Sequence, residues 1–204
     1  MCFNDIFQRG FAKAKIFLMV SFCLVFVDNA WSWELFSKKP LVVYFSNFGN
    51  TKVIAENIQK RLNADILCLE PVVKYPKDKA LFTAQINTEI AAKDYFPALA
   101  NGKLDLSPYD VVVVGSPVWE GRAMPVVLSF LLKNDFAGKV VYFFSTYSGD
   151  AGIAIDEMKK ACLNATYGSS LNVELRTPLD DEKAVIIPND IIEKWTAEIM
   201  AKQR

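Results

Sequence analysis

"LVVYFSNFGNTKVIAENIQKRL", residues 41–62, changes character twice within one short stretch. Leu41 to Ser46 is an almost unbroken apolar run, suited to a strand buried on both faces. From Thr51 onward, Ile54, Ile58 and Leu62 recur every fourth residue, with Glu56 and Lys60 paired on the polar side, which predicts a helix over Thr51–Leu62. Between them lies Ser46-Asn47-Phe48-Gly49-Asn50-Thr51. A loop running from a strand into a helix N-terminus presents unpaired amides and the positive end of the helix dipole, and both attract an anion. Gly49 lets the backbone approach closely, and Ser46, Asn50 and Thr51 can add hydroxyl or amide donors. The plainer alternative is that Asn50 or Thr51 caps the helix and Gly49 turns the chain. The stretch is neither a GxxxxGK[ST] phosphate loop nor a dinucleotide fingerprint, since it has one glycine and no following lysine–hydroxyl pair.

The same alternation continues outward. Asp65–Pro71 reads as a strand, Lys79 to about Ala92 as a helix, and Val111–Gly115 as a third strand of four valines and a glycine. Met124–Lys133 is helical, Lys139–Thr146 a strand, Ile153–Cys162 a helix, Leu171–Leu175 a strand and Asp190–Ala201 the closing helix. Strands without polar–apolar alternation, separated by helices, predict an α/β fold: a five-stranded parallel sheet in a doubly wound three-layer sandwich, strand order 2-1-3-4-5. Ligands of such sheets bind beyond the carboxyl ends of the strands. The loop after the third strand, Ser116-Pro117-Val118-Trp119-Glu120-Gly121, carries a large ring whose face suits stacking on an aromatic ligand. After the fourth strand comes Ser145-Thr146-Tyr147-Ser148-Gly149-Asp150-Ala151-Gly152, which again joins an aromatic residue to glycines and backbone amides. Either ring could instead pack on a neighbouring loop.

Composition excludes several chemistries. The 204 residues contain no histidine, which removes Ser-His-Asp triads, Cys-His pairs and imidazole metal ligands together. Charge balances at 23 basic and 23 acidic residues, so no electrostatic footprint for nucleic acid is expected. Apolar residues make up 52 %, enough to fill a large core.

The first 32 residues differ from the rest. Arg9, Lys13 and Lys15 precede an apolar run from Ile16 to Val27, and Ala30-Trp31-Ser32 follows, the layout of a secretory signal peptide. Twelve helical residues span about 18 Å against roughly 30 Å of bilayer core, so cleavage is favoured over a membrane anchor formed by 16–27. No arginine pair marks twin-arginine export. The expected division is therefore residues 1–32 as export signal and 39–204 as the folded domain, in a periplasmic or other extracytoplasmic location. Removing residues 1–32 takes away three basic and two acidic side chains and leaves 20 against 21, a net charge of −1. Cys2 and Cys23 fall in that segment, while Cys68 and Cys162 show neither CxxC nor metal spacing and read as buried free thiols. No metal site is expected.

With these motifs in place the chain resembles the flavodoxins, specifically short flavodoxin-like domains carrying "YFSxxGNT" early and "GSPxWxG" in the middle. The likeness runs from about Leu41 to Trp195, and "YDVVVVGSPVWEG" at 109–121 and "DFAGKVVYFFSTYSGDAG" at 135–152 are its most specific parts. The resemblance implies noncovalent FMN, its phosphate on Ser46, Asn47, Phe48, Gly49, Asn50 and Thr51. Its ring would lie between Pro117, Val118, Trp119, Glu120 and Gly121 on one side and Thr146, Tyr147, Ser148 and Gly149 on the other. No acid–base catalyst is implied. A carbonyl of the Glu120–Gly121 peptide would rotate to accept the flavin N5 proton, which glycine makes easy. The carboxylates of Glu120 and Asp150 would disfavour the anionic, fully reduced flavin. Phe48 stands where the family usually has a small residue, often Thr, and the chain lacks the strong acidity of electron-transfer flavodoxins. Three readings follow: an electron carrier serving an unidentified redox protein or small acceptor, an FMN-dependent NAD(P)H:quinone-type oxidoreductase, or a flavin-free binding module. A receiver domain, which shares the architecture, would need an aspartate where Gly115-Ser116 stands. Nucleic acid is not an expected partner, and a membrane is one only if the N-terminal segment stays attached.

Overall fold

Alternate residues of the valine-rich strands face opposite sides of the sheet, and both sides are apolar, so each demands its own cover of helices. The structure is a computed structural model describing residues 38–92, 94–175 and 186–202, all within one compact unit, Lys38–Arg204. The expected export segment, 1–32, lies outside the described residues. In chain order the elements are β1 (Leu41–Tyr44), α1 (Asn50–Leu62), β2 (Asp65–Cys68), α2 (Lys79–Ala91), β3 (Val111–Trp119), β4 (Arg122–Ala123), α3 (Pro125–Lys133), β5 (Val140–Tyr147), α4 (Ala154–Ala161), β6 (Thr166–Glu174) and α5 (Asn189–Lys202).

The sheet runs β2-β1-β3-β5-β6 with parallel neighbours, and β4 is added antiparallel to β3. Apart from that two-residue addition, this is the expected doubly wound order. One face carries Val42, Tyr44, Val111, Val113, Tyr142 and Phe144 against Ile54 and Ile58 of α1 and Ile192, Trp195 and Ile199 of α5. The other carries Val43, Val112, Val114, Val141 and Phe143 against Phe82 and Ile86 of α2, Val127 and Phe130 of α3 and Met158 of α4. Gly115 is fixed by this packing: a Cβ there would lie 2.0 Å from the Phe144 ring.

Two boundaries differ most from expectation. Ser116–Trp119 is not loop but the continuation of β3, which pairs with β5 through Pro117↔Thr146 and turns back on itself through Trp119↔Arg122. Likewise β6 begins at Thr166, five residues before the expected Leu171, because its polar first half pairs with β5 at the sheet edge, where no apolar signal is needed. Cys68 and Cys162 are unpaired; burial pushes the Cys162 thiol up to about 12.

Candidate functional site

The carboxyl ends of β1, β3 and β5 open on one cleft of about 320 Å³. Ser46, Asn47, Phe48, Asn50 and Thr51 line it from the first loop, Pro117, Val118 and Trp119 from the end of β3, and Thr146, Tyr147 and Ser148 from the end of β5. The fold thus brings three separated segments to one place. Gly49, Glu120, Gly121 and Gly149 do not line it among the described residues. Gly49 instead takes the left-handed conformation (φ 99°) that starts α1, and Glu120 and Gly121 form the two-residue turn behind Trp119.

The anion seat is the start of α1. The first backbone bond of the helix runs from Val53 N–H to the Gly49 carbonyl at 3.1 Å, so the amides of Asn50, Thr51 and Lys52 precede it. No side chain caps this end, and its first turn contains no acid. Donors and dipole are therefore left for something else. Two hydroxyls expected to face the anion already have partners. Ser46 Oγ accepts from the Gly49 amide at 3.1 Å, shaping the turn. Thr51 Oγ1 lies 2.8 Å from Thr146 Oγ1, fully buried, and ties the first loop to the end of β5. Asn47 faces outward in its bonding: its Nδ2 donates to the Pro76 carbonyl at 2.8 Å, and Lys77 Nζ donates back to the Asn47 carbonyl at 2.7 Å.

Above the seat stands a row of rings. Phe48 meets Phe82 edge-on with centroids 5.0 Å apart, and Phe82 meets Trp119 edge-on at 4.8 Å. Phe82 is 1 % exposed and Phe48 45 %, so the row is rooted in the core at its middle ring and reaches solvent at Phe48. Trp119 Nε1 is buried without a hydrogen-bond partner among the described residues, an orphan donor at the wall of a cleft. Lys79, Phe82 and Leu175 also line the cleft and had no motif to announce them; the signal that could have found the first two is their spacing of three on one face of α2.

The Trp119 segment is fastened from behind. Glu120 (φ 50°) and Gly121 (φ 70°) both take positive φ, as a two-residue hairpin turn requires, and glycine accepts this readily. The Gly121 carbonyl accepts from Ile153 N–H at 2.8 Å. Glu157 on α4 accepts from Arg122 Nε at 2.5 Å and from Ala123 N–H at 3.0 Å. Its carboxylate raises the Arg122 guanidinium further above an already high value. The β3–β4 hairpin is therefore braced against α4 and the residue that leads into it. Asp150 uses its carboxylate locally, accepting from Gly152 N–H at 2.9 Å. Among the described residues no group of three His, Cys, Asp or Glu is placed to hold a metal, and no helix is long and apolar enough to cross a membrane.

Comparison with known proteins fits this geometry. The flavodoxin family model matches residues 39–180. A candidate flavoprotein of Bacteroides uniformis superposes with a TM-score of 0.66 at 23 % identity, covering 79 % of this chain and 99 % of its own. A second, from Bacteroides eggerthii, gives 0.65 at 24 %, covering 79 % and 98 %. A flavoprotein in complex with FMN from Lactobacillus acidophilus gives 0.57 at 20 %, covering 67 % and 93 %. At these identities the structural likeness carries the fold alone. No curated protein matches the chain significantly.

Proposed function

The chain belongs to the flavodoxin family, and from that premise we propose that it holds FMN in the cleft and works as an exported electron carrier. The observation that carries the reading is the uncapped start of α1 lying in the same cleft as the Phe48–Phe82–Trp119 row. The residues fit the cofactor at both ends. The amides of Asn50, Thr51 and Lys52, with the Asn50 side chain, offer neutral donors for a phosphate monoester. Trp119, Tyr147 and Phe48 offer apolar faces for a flat ring. Bound flavin supplies the redox chemistry, and the protein's part is to bind it, orient it and set its potential.

Each residue has a separable task. Ser46 and Gly49 set the loop conformation that aims the helix amides. Thr51 and Thr146 hold the seat at a fixed distance from the β5 wall. The turn at Glu120–Gly121 follows directly on Trp119, which lines the cleft. Its middle peptide accepts and donates no described hydrogen bond, which leaves that carbonyl free to turn toward a ligand, while the Gly121 carbonyl stays fixed by Ile153. Phe48 removes a hydroxyl from the seat and adds apolar surface to the wall.

A carrier rather than a reductase is favoured because the sequence carries no dinucleotide-binding fingerprint for a nicotinamide donor. Its redox partner, a protein or a small acceptor, would meet the flavin edge at the mouth of the cleft. Export follows from the basic start, short apolar run and small residues of segment 1–32. A chain threaded unfolded across a membrane would take up FMN afterwards. The test is direct: purify the protein without added cofactor, record its visible spectrum, then add FMN and measure quenching of flavin fluorescence. Quenched, stoichiometric uptake is the expected result; failure to take up FMN transfers the assignment to a binding module. NAD(P)H oxidation with a quinone at steady-state turnover would make it a reductase, and mass spectrometry of the secreted protein locates the cleavage point.

A further inference from the structure

We propose that Lys79 is an anion-binding residue of the cleft, and that its ammonium makes the site prefer a phosphorylated flavin over the same flavin without phosphate. The inference rests on the FMN reading above. Among the described residues that line the cleft, Lys79 carries the only formal charge, and no carboxylate accompanies it. It makes no ion pair among the described residues. Asp78, its nearest acidic neighbour in sequence, is engaged in capping α2, accepting from Leu81 N–H at 2.9 Å.

Its placement beside the seat follows from two attachments. Before it, the chain is stapled to the anion loop: Asn47 Nδ2 donates to the Pro76 carbonyl, and Lys77 Nζ donates to the Asn47 carbonyl and, at 3.2 Å, to Asn47 Oδ1. After it, one helical turn on, Phe82 packs against both Phe48 and Trp119. Residues three apart share a helix face, so Lys79 stands on the side of α2 that faces the cleft, between the staple and the rings.

The seat also has room for the charge. Ser46 Oγ and Thr51 Oγ1 already have protein partners, and Phe48 contributes no polar atom. The helix start supplies amides and a partial positive charge but no full one. A phosphate monoester near neutral pH carries between one and two negative charges, and an exposed ammonium on the cleft wall answers that charge at a small desolvation cost.

The experiment titrates the purified protein and its Lys79→Gln and Lys79→Arg variants with FMN and with riboflavin, read by fluorescence quenching at low and high salt. Glutamine should weaken FMN binding about three- to tenfold, in the range of a charge-assisted contact discounted for exposure, and leave riboflavin within twofold. Arginine should restore most of the preference, and high salt should shrink it in the wild type but not in Lys79→Gln. Thermal midpoints without ligand should match. An unchanged FMN-to-riboflavin ratio in Lys79→Gln overturns the assignment while leaving the FMN reading intact. Equal weakening of both flavins also overturns it, since Lys79 would then act on the ring or the packing. Uptake of neither flavin by the wild type overturns the FMN reading and this inference with it.

Discussion

Thr51 and Thr146 show how a residue's role depends on what the fold brings next to it. In sequence Thr51 sits at a helix start and is a plausible donor to an anion; folded, its hydroxyl meets one 95 positions away, and both are buried. No local pattern encodes that pairing, because the partner arrives only when β1 and β5 take their places either side of β3. Replacing Thr51 with Val keeps the shape and leaves the Thr146 hydroxyl buried without its partner, which costs about 1–3 kcal/mol. Urea unfolding of Thr51→Val should show that loss, and affinity for FMN should fall with it as the loop loosens. A variant as stable as the wild type would mean the two hydroxyls merely adjoin. The turn itself is easier to read, since small residues before a helix have few other uses, although Ser46, expected to donate to the anion, instead accepts from the Gly49 amide.

At the level of elements, the helices and the four apolar strands were legible because their periods of 3.6 and their unbroken apolar runs survive in the sequence. The extension of β3 was not. Ser116-Pro117 reads as a break, yet Pro117 lies where β3 has outrun β1, whose last register partner is Gly115, so its missing N–H interrupts no ladder on that side. The hairpin built on this extension carries Trp119, and Glu157 holds it to α4 through Arg122 and Ala123. The Glu157 side chain is nearly buried and the Arg122 side chain is 43 % exposed, so the brace is sheltered on one side only. Truncation in Glu157→Ala should cost about 1–3 kcal/mol by leaving the Ala123 amide and part of the guanidinium unpaired. Hydrogen exchange gives a sharper readout: the Ala123 amide should lose protection in the variant while amides in the middle of β3 keep theirs. Equal protection in both proteins would show that Ile153 and Gly121 alone hold the turn.

The whole molecule adds two linked equilibria. Burial raises the Cys162 thiol from 9.0 to about 12, and burial likewise pushes the Tyr44, Tyr75 and Tyr142 phenols upward from 10.0. Above pH 9 the unfolded chain gives up protons that the folded chain keeps, so the unfolded state binds fewer protons and stability falls as pH rises. Below that value both states are protonated, and the contribution is fully present. Each group that titrates only when unfolded removes about 1.4 kcal/mol per pH unit across its window. The urea midpoint should therefore be level from pH 7 to 8.5 and drop steeply by pH 10.5; a midpoint unchanged at pH 10.5 would contradict this burial.

Ligand acts in the opposite direction and reports on the site as a whole. FMN bound only by the folded chain stabilises it by RT ln(1 + [FMN]/Kd), about 2.7 kcal/mol at a hundredfold excess over Kd. A domain of this length gains roughly 2–4 °C per kcal/mol, so saturating FMN should raise the thermal midpoint by about 5–10 °C. Because the three lining segments come from the ends of β1, β3 and β5, closing the site draws on the whole sheet, and the shift should appear equally in far-ultraviolet circular dichroism and in tryptophan fluorescence. The Thr51→Val and Glu157→Ala proteins should each show a smaller FMN shift than the wild type, since the first loosens the tie between the β1 and β5 segments and the second loosens the hold of α4 on the β3 segment. A full-sized shift in both variants would mean that the ligand sits away from the cleft, and a shift confined to the fluorescence signal would mean that only the Trp119 hairpin responds.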